Sequence, residues 1–244
     1  MNERLWQKIE TQEISDTHEH IISSGELKKH RRGLIELLGE AYLHDDMISA
    51  GARDEMFSPE YGDEERWKML CPYLDRVRNT TYYRCLIKAL NDLFGTSIKE
   101  IDDSNWKELN ELLYKAAESG RNWYEYVLHE KADIAYCMLD MDRTMDSEIG
   151  DWKEKGLPSI KDTVFEKEFF ERVSRIDPLT HVVFDSARAE LEEMYSVKIE
   201  SVDSLDELME LFIRKSKESG AVSYKSVAAY FRTLDIEECK REKA

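Results

Sequence analysis

The sequence predicts an α/β protein in which parallel strands alternate with helices. Two observations support this fold class: short, nearly continuous apolar runs are separated by segments of helical periodicity, and these runs end in polar residues. Apolar runs of this length are typical of strands buried on both faces of a parallel sheet. The chain has 244 residues, 41% apolar and 36% charged, which suits a soluble globular protein with a sizeable core. We therefore expect β/α units with functional residues at the carboxyl ends of the strands.

The first predicted strand, at 14–22, carries the motif with the most chemical content. Because side chains alternate along a strand, His18 and His20 project to one face together with Asp16, whereas Glu19 points to the other face. Two strand residues rise only about 7 Å, so both imidazoles can reach one cation. The tripeptide alone favours an ordinary pair of surface or core histidines, because six histidines in the chain make a chance His-x-His common.

A long helical stretch follows between residues 23 and 131. Apolar residues recur there at helical spacing, and Gly95 and Gly120 are suitable stops at helix C-termini. Ser104 can cap one of these helices. Together with a leading helix at 4–12, the predicted helices cover 33–51, 64–78, 80–94, 104–119 and 122–131, with a loop at 52–63.

After residue 131 the pattern changes to that of β/α units. Apolar runs ending in Asp140, Asp185 and Lys225–Ser226 predict three further strands. These strands are predicted at 133–140, 181–185 and 221–226, and the intervening helices at 165–176, 186–195 and 203–219. The chain is thus predicted to consist of a leading helix with strand one at 1–22, a helical insertion or lid at 23–131, and the remaining strands at 132–244.

Charge and cysteine usage narrow the classes of partner. With 35 basic and 52 acidic residues the net charge is 35 − 52 = −17, which argues against nucleic-acid binding. No apolar run approaches the roughly 20 residues of a membrane span. The N-terminus lacks the layout of a secretory signal, and the four cysteines show no metal or redox spacing. We expect a cytoplasmic protein with reduced thiols.

Several segments, taken in order, carry a resemblance to a known enzyme family. They are Asp16-Thr17-His18-Glu19-His20, Tyr42-Leu43-His44-Asp45-Asp46-Met47-Ile48-Ser49-Ala50-Gly51, Asn79-Thr80-Thr81-Tyr82-Tyr83-Arg84 and Ala221-Val222-Ser223-Tyr224-Lys225-Ser226-Val227-Ala228-Ala229-Tyr230. With them the chain resembles the amidohydrolase superfamily, in the amidohydrolase-related branch that includes uronate isomerase-like proteins. The resemblance implies a TIM-type (β/α)8 barrel with a large helical insertion after strand one.

The resemblance also implies roles for individual residues. His18 and His20 would bind a divalent metal, with zinc or manganese suited to neutral imidazole ligands. An open coordination position would activate water or polarise a carbonyl. For Lys225 three interpretations stay open: a lysine that binds a substrate carboxylate, which we favour, a carbamylated lysine that bridges two metals, or a lysine that caps the barrel rim.

Other candidate residues have a plain structural alternative. Tyr42, His44 and Asp46 are predicted to form a lid over the substrate, although an exposed helix end explains them equally well. Arg232 is predicted to contact an anionic substrate group, with an ordinary surface arginine as the alternative. Two aspartates, Asp140 and Asp185, end their predicted strands on the active face, whereas His181 begins its strand at the opposite end and is predicted to be structural.

The sequence departs from the family pattern after the fourth strand. The family takes further metal ligands from later strands, but only eighteen residues follow Ser226 and none is a histidine. We therefore predict an incomplete barrel of about four strands, a single truncated catalytic domain resembling the N-terminal half of the enzyme. Its open edges predict a partner, either a missing C-terminal half or a second copy of the chain.

The predicted metal motif and the predicted incomplete barrel together fit two classes of function. The first is the N-terminal half of a metal-dependent hydrolase of the amidohydrolase type, in which metal-activated water attacks a small carboxylated substrate. The alternatives are a uronate isomerase-like sugar-acid isomerase and a catalytically silent fragment or interaction protein. Metal binding by the purified chain distinguishes the enzyme classes from the silent one.

Overall fold

The structure, a computed structural model, describes residues 3–21, 32–140, 166–180, 182–230 and 232–236. The chain forms two compact units, which we call the barrel unit and the helical unit. The barrel unit comprises Met1–Ser23 and Asp133–Ala244, and the helical unit comprises Ser24–Ala132. Within the described ranges, no helix is both long enough and apolar enough to cross a membrane.

The barrel unit begins with α1 (Glu3–Glu10) and contains one sheet of parallel strands. Across the described residues the sheet has four strands in the order β1-β2-β3-β4, and each strand pairs with the next one in sequence. This open arrangement is that of an incomplete TIM-type barrel, as the sequence predicted. The strands are β1 (Ile14–Glu19), β2 (Ile134–Asp140), β3 (Phe170–Arg175) and β4 (Ala221–Lys225).

The helical unit packs its helices around a core of its own. Leu34, Leu38 and Met47 are fully buried in this core, and Trp67 stacks on Trp106 with ring centroids 5.1 Å apart. The predicted helix at 33–51 is two helices, broken at Gly39. The elements are α2 (Leu34–Leu38), α3 (Ala41–Ser49), a 3-10 turn (Asp54–Phe57), α4 (Asp63–Val77), α5 (Thr81–Phe94), α6 (Trp106–Glu118) and a π-helix (Glu125–Lys131).

A network of polar side chains joins α2, α4 and α6. The buried Arg66 guanidinium donates to Glu36 at 2.7 Å and to Asp63 at 2.6 Å. The Asp63 carboxylate also accepts from Asn110 Nδ2 at 2.8 Å and from the Tyr114 hydroxyl at 3.0 Å. These bonds satisfy charged groups that would otherwise be costly to bury, so the network stabilises the helical unit.

The remaining helices of the barrel unit pack against the outer face of β4. Leu191 and Tyr195 contact Leu208 and Phe212 in a small core, and Tyr224 of β4 packs against this core. Because side chains alternate along a strand, Lys225 points away from it, toward the inner face of the sheet. These elements are α7 (Asp177–Thr180), α8 (Asp185–Tyr195), α9 (Val202–Glu218) and a 3-10 turn (Ala228–Tyr230).

Two secondary-structure predictions in the barrel unit are wrong. The segment predicted as a helix at 165–176 contains β3, and the segment predicted as a strand at 181–185 contains a turn followed by the start of α8. The charges of β3 explain the first error, since Arg172 and Arg175 are buried in positions that a sequence pattern assigns to a solvated helix face. In the second segment Val183 is 75% exposed, so the apolar run does not enter the core. The position of His181 lies outside the described residues.

One capping prediction in the helical unit is also wrong. The residue that precedes α6 is Asn105, whereas Ser104 donates its hydroxyl and its backbone N–H to Asp102. The Asn105 side chain instead bonds the backbone on its N-terminal side, accepting from Asp102 N at 3.0 Å. The turn before α6 is therefore closed by local hydrogen bonds of the Asp102 and Asn105 side chains.

Candidate metal centre

Four strand ends bring five polar side chains to one edge of the sheet. His18 lies near the end of β1 and His20 directly follows it, while Asp140, Arg175 and Lys225 are the last residues of β2, β3 and β4. Since the strands are parallel, their carboxyl ends meet at the same edge. Catalytic residues of barrel enzymes occupy this edge.

A bulge in β1 sets the direction of the two histidines. Asp16 pairs with Cys137 and Glu19 with Leu139, so three steps along β1 match two steps along β2. The extra residue reverses the alternation, because paired residues in neighbouring strands project to the same face. Asp16 therefore lies on the face of Glu19, opposite the histidines, and the expectation that Asp16 shares their face is wrong.

The bulge leaves a carboxyl pair on the outer face of β1. Burial raises the pKa of Glu19 to about 7, and the hydrogen bond and negative charge of Asp16 add to this effect. The buried Cys137 thiol lies close to the same pair, and burial together with both carboxylates raises its pKa to about 11. Cys137 is thus a protonated packing residue at neutral pH.

Hydrogen bonds fix the tautomers of the two histidines. The Lys225 ammonium lies 2.8 Å from His18 Nε2, and since an ammonium only donates, this nitrogen is the acceptor. Burial and the charge of Lys225 lower the pKa of His18, which keeps the ring neutral. His20 Nδ1 lies 3.2 Å from the Asp140 backbone oxygen and donates to it, so in the neutral ring the lone pair of His20 is on Nε2. Both rings therefore carry the lone pair at Nε2 that a metal ligand needs.

Asp140 lies at the centre of the cluster and is almost fully buried. Arg175 binds both of its oxygens, with Nε at 3.0 and 3.1 Å and Nη2 at 2.9 Å, and Lys225 Nζ lies 2.9 Å from Oδ2. Burial opposes ionisation of this carboxyl, but the hydrogen bonds of Arg175 and Lys225 outweigh burial and lower the pKa of Asp140. Asp140 is therefore an anion held between two cations.

His18, His20 and Asp140 form a set of donors that fits a divalent ion. Their ligand atoms lie within 4.8 Å of one another, and His20 Nε2 lies 3.8 Å from Asp140 Oδ2. Ligands of tetrahedral zinc are separated by about 3.3 Å, so small side-chain movements suffice to reach that geometry. Two imidazoles and a carboxylate are a donor set that zinc and manganese both accept.

A buried aspartate behind the cluster fixes the chain that follows Lys225. Asp177 Oδ1 accepts from the Ser226 hydroxyl at 3.0 Å and from Val227 N at 2.7 Å. Asp177 is fully buried and lies two residues after the end of β3. It therefore couples the end of β3 to the end of β4 and limits where Lys225 can lie.

The other predicted site residues are placed in different surroundings. Tyr42, on α3 of the helical unit, stacks on Tyr82 with ring centroids 4.9 Å apart. His44 Nε2 lies 2.9 Å from Asp54 Oδ1, and Asp46 is half-buried on the same helix. Their predicted contact with a substrate stays a prediction.

Arg232 and Asp185 are the remaining predicted residues, and both belong to the barrel unit. Arg232 is exposed, and its Nε donates to the Thr233 backbone oxygen at 3.2 Å. Its predicted contact with an anionic substrate also stays a prediction. Asp185 begins α8 instead of ending a strand, so its expected place at the strand ends is wrong.

Arg175 and Asp177 are not among the predicted site residues, because Arg175 falls in the segment predicted as a helix at 165–176 and Asp177 directly follows it. A usable signal was present in Asp177-Pro178, since proline in the first turn is typical of a helix start and not of a helix end. Placing a helix start there makes the preceding segment a strand that ends in Arg175.

Comparison with known proteins supports the fold. No protein-family model matches the sequence, and no curated protein matches it significantly. Among solved structures, the chain is similar to a uronate isomerase from Thermotoga maritima, with a TM-score of 0.62 and 16% sequence identity over 91% of this chain. That protein has the fold of the amidohydrolase-related enzymes. The similarity at this identity shows the fold alone, and the chain spans about half of the neighbour, 48% of its length.

Proposed function

We propose that this chain carries the metal-binding part of an enzyme that acts on a small carboxylated substrate, with sugar-acid isomerisation as the first candidate. The observation that carries the proposal is the arrangement at the strand ends. Two histidines present unprotonated Nε2 atoms beside two cations, Arg175 and Lys225. The first group suits a metal and the second suits a carboxylate.

The metal would be a zinc or manganese ion held by His18 and His20, with Asp140 as the neighbouring oxygen donor. Such an ion supplies a Lewis acid that polarises a substrate carbonyl. The backbone oxygen of Asp140 orients His20, and Lys225 stays close to His18. The hydrogen bond with Asp140 holds the His20 ring in the tautomer that a metal ligand needs.

Local charge supports an anionic substrate. The chain as a whole carries a charge of −17, yet two cations, Arg175 and Lys225, both contact the carboxylate of Asp140. A local field of opposite sign to the net charge favours a small anion there. Arg175 is buried and fixed, whereas the Lys225 side chain is long and able to move toward a carboxylate.

Hydrolysis of the amidohydrolase type is the second candidate. It is favoured by the donor set, because two histidines and a carboxylate leave a coordination position for water. The two reactions need different substrates: an isomerase takes a free sugar acid, whereas a hydrolase takes an amide or ester. A catalytically silent chain would bind neither class.

We also propose that the edge strands β1 and β4 pair with further strands, from a C-terminal half or a second copy of the chain. Ile14 on β1 and Val222 on β4 are large apolar residues exposed to about half of their surface, at 47% and 54%. Exposed apolar edges favour strand addition. Light scattering after size-exclusion chromatography should show association, and a concentration-independent monomer would contradict this part of the proposal.

Binding of a uronate to the metal-loaded chain tests the proposed substrate class. We expect calorimetry with manganese present to show that D-glucuronate binds at least tenfold more tightly than D-glucose, which has a hydroxymethyl group in place of the carboxylate. Lys225→Met should abolish this preference, whereas Lys198→Met, at an exposed position of the barrel unit, should keep it. Equal binding of the two sugars would contradict the proposal, and conversion of the uronate to its keto isomer by NMR would select isomerisation over hydrolysis.

A further inference from the structure

Lys225 occupies an unusual place within the candidate metal centre. Its Nζ lies 2.8 Å from His18 Nε2 and 2.9 Å from Asp140 Oδ2. These are two of the donor atoms that would hold a metal ion. The ammonium is therefore a cation already in contact with most of the metal-binding set.

The hydrogen bonds of the ammonium occupy lone pairs that a metal ion would need for coordination. The hydrogen bond from Lys225 occupies the lone pair of His18 Nε2. Asp140 Oδ2 accepts from Lys225 and also from Arg175 Nη2 at 2.9 Å and Nε at 3.1 Å. A carboxylate oxygen with this many donors has little capacity left for a further cation. Lys225 and a metal ion thus compete for the same two atoms.

We propose that the Lys225 ammonium fills the metal position in the metal-free chain, and that a divalent ion binds only when this ammonium moves away. The inference rests on the proposed metal site and specifies how that site is filled and emptied. Two positive charges cannot share contacts of about 3 Å with the same donors without strong repulsion. Lys225 is accordingly a residue that limits metal affinity.

The change in metal affinity when Lys225 is replaced distinguishes this role from the other interpretations of Lys225. A carbamylated lysine would be a metal ligand, so its removal would weaken metal binding. A lysine that only caps the barrel rim would leave metal binding unchanged. A competing ammonium is the role for which removal of the charge strengthens metal binding.

Metal titration of matched variants separates these outcomes. Zinc and manganese are titrated by calorimetry into the full chain, its Lys225→Met and Lys225→Gln variants, and Lys198→Met as a control. Lys198 is an exposed lysine of the barrel unit paired with Glu192. We expect the dissociation constant of both Lys225 variants to fall at least tenfold, and that of Lys198→Met to equal wild type.

A second measurement uses the unaltered chain and does not depend on the folding of a variant. Acetylation by an amine-reactive reagent is followed by mass spectrometry with and without zinc. We expect zinc to increase the labelling rate of Lys225 several-fold, because the displaced ammonium leaves His18 and the buried Asp140, while the rate of Lys198 stays constant.

The outcomes distinguish failure of this inference from failure of the proposed function. If the wild-type chain and both Lys225 variants bind no metal, the proposed metal site is wrong. If wild type binds metal through His18 and His20 but the Lys225 variants bind it equally or more weakly, the site stands and the competition is overturned. Zinc that protects Lys225 from labelling would overturn it as well.

Discussion

Each unit of the chain contains a buried arginine paired with acidic side chains. The two clusters differ in the charge at their centre, which is a cation in the helical unit and an anion in the barrel unit. In the helical unit one cation, Arg66, lies between Glu36 and Asp63, and uncharged donors complete the network. In the barrel unit one anion, Asp140, lies between Arg175 and Lys225. Both clusters satisfy their buried charges through good hydrogen bonds.

The difference separates a structural cluster from a candidate ligand site. The bonds of the Arg66 network join three helices within a packed core, so they stabilise one arrangement of the unit. The Asp140 cluster lies at strand ends, pairs one carboxylate with two cations and adjoins the two histidines. A buried ion pair therefore indicates a site only when its position and charge balance favour a ligand.

The largest effect should come from the structural cluster. Arg66→Met leaves two partly buried carboxylates without their cation, and we expect the free energy of unfolding to fall by about 3–5 kcal/mol. Urea unfolding followed by circular dichroism measures this loss. The control Arg84→Met, at an exposed position of α5, should change stability by no more than about 0.5 kcal/mol. If Arg66→Met loses no more stability than the control, the Arg66 network does not stabilise the helical unit as we infer.

Arg175→Met should cost less stability than Arg66→Met. Asp140 keeps Lys225 as a partner at 2.9 Å, so the buried carboxylate is not left without a cation. We expect a loss of about 1–3 kcal/mol in the same urea assay. A loss equal to that of Arg66→Met would indicate that Arg175 has the same structural role as Arg66.

Tyr114→Phe tests one neutral donor of the helical network. The hydroxyl donates to Asp63 at 3.0 Å, and burial together with Glu36 raises the pKa of Tyr114 to about 12. We expect its removal to cost about 1–2 kcal/mol, because the carboxylate loses a hydrogen bond. Tyr42→Phe, on the exposed face of α3, is the matched control and should be neutral in the same denaturation curves.

The smallest predicted effect concerns pH and the carboxyl pair of β1. The folded pKa of Glu19, about 7, exceeds its ordinary value of 4.5, so the folded chain binds more protons than the unfolded chain between these values. Stability should therefore fall as pH rises from about 5 to 8. Glu19→Gln should remove about 1 kcal/mol of this loss. A pH dependence over this range that is identical in Glu19→Gln and wild type would show that the pair does not titrate there.

The sequence predicted the fold class because β2 is a continuous apolar run, the histidines of β1 fit strand alternation, and the segments of β1, β2 and β4 are separated by helical patterns. The prediction placed the third strand at 181–185 instead of at β3. Two buried arginines, Arg172 and Arg175, make β3 less apolar than the segment 181–185. Burial of charge depends on partners distant in sequence. Local patterns contain no information on such partners.

The candidate site was predictable in part for the same reason. His18, His20 and Lys225 follow from strand alternation and strand ends, which are local properties. The contacts of Asp140 with Arg175 and Lys225 join residues that lie 35 and 85 positions away in sequence, a relation that only the folded sheet establishes. The bulge that turns Asp16 away likewise depends on the pairing of β1 with β2.

Metal binding by the histidine pair tests the central claim most directly. Zinc and manganese are titrated into the wild-type chain, into a double variant with His18→Asn and His20→Asn, and into His44→Asn, in which a histidine of the helical unit that lies beside Asp54 is replaced. We predict one weakly bound ion per chain in wild type and in His44→Asn, and no binding in the double variant. Undiminished binding by the double variant, or no binding by both the wild-type chain and its Lys225→Met variant, would contradict the account.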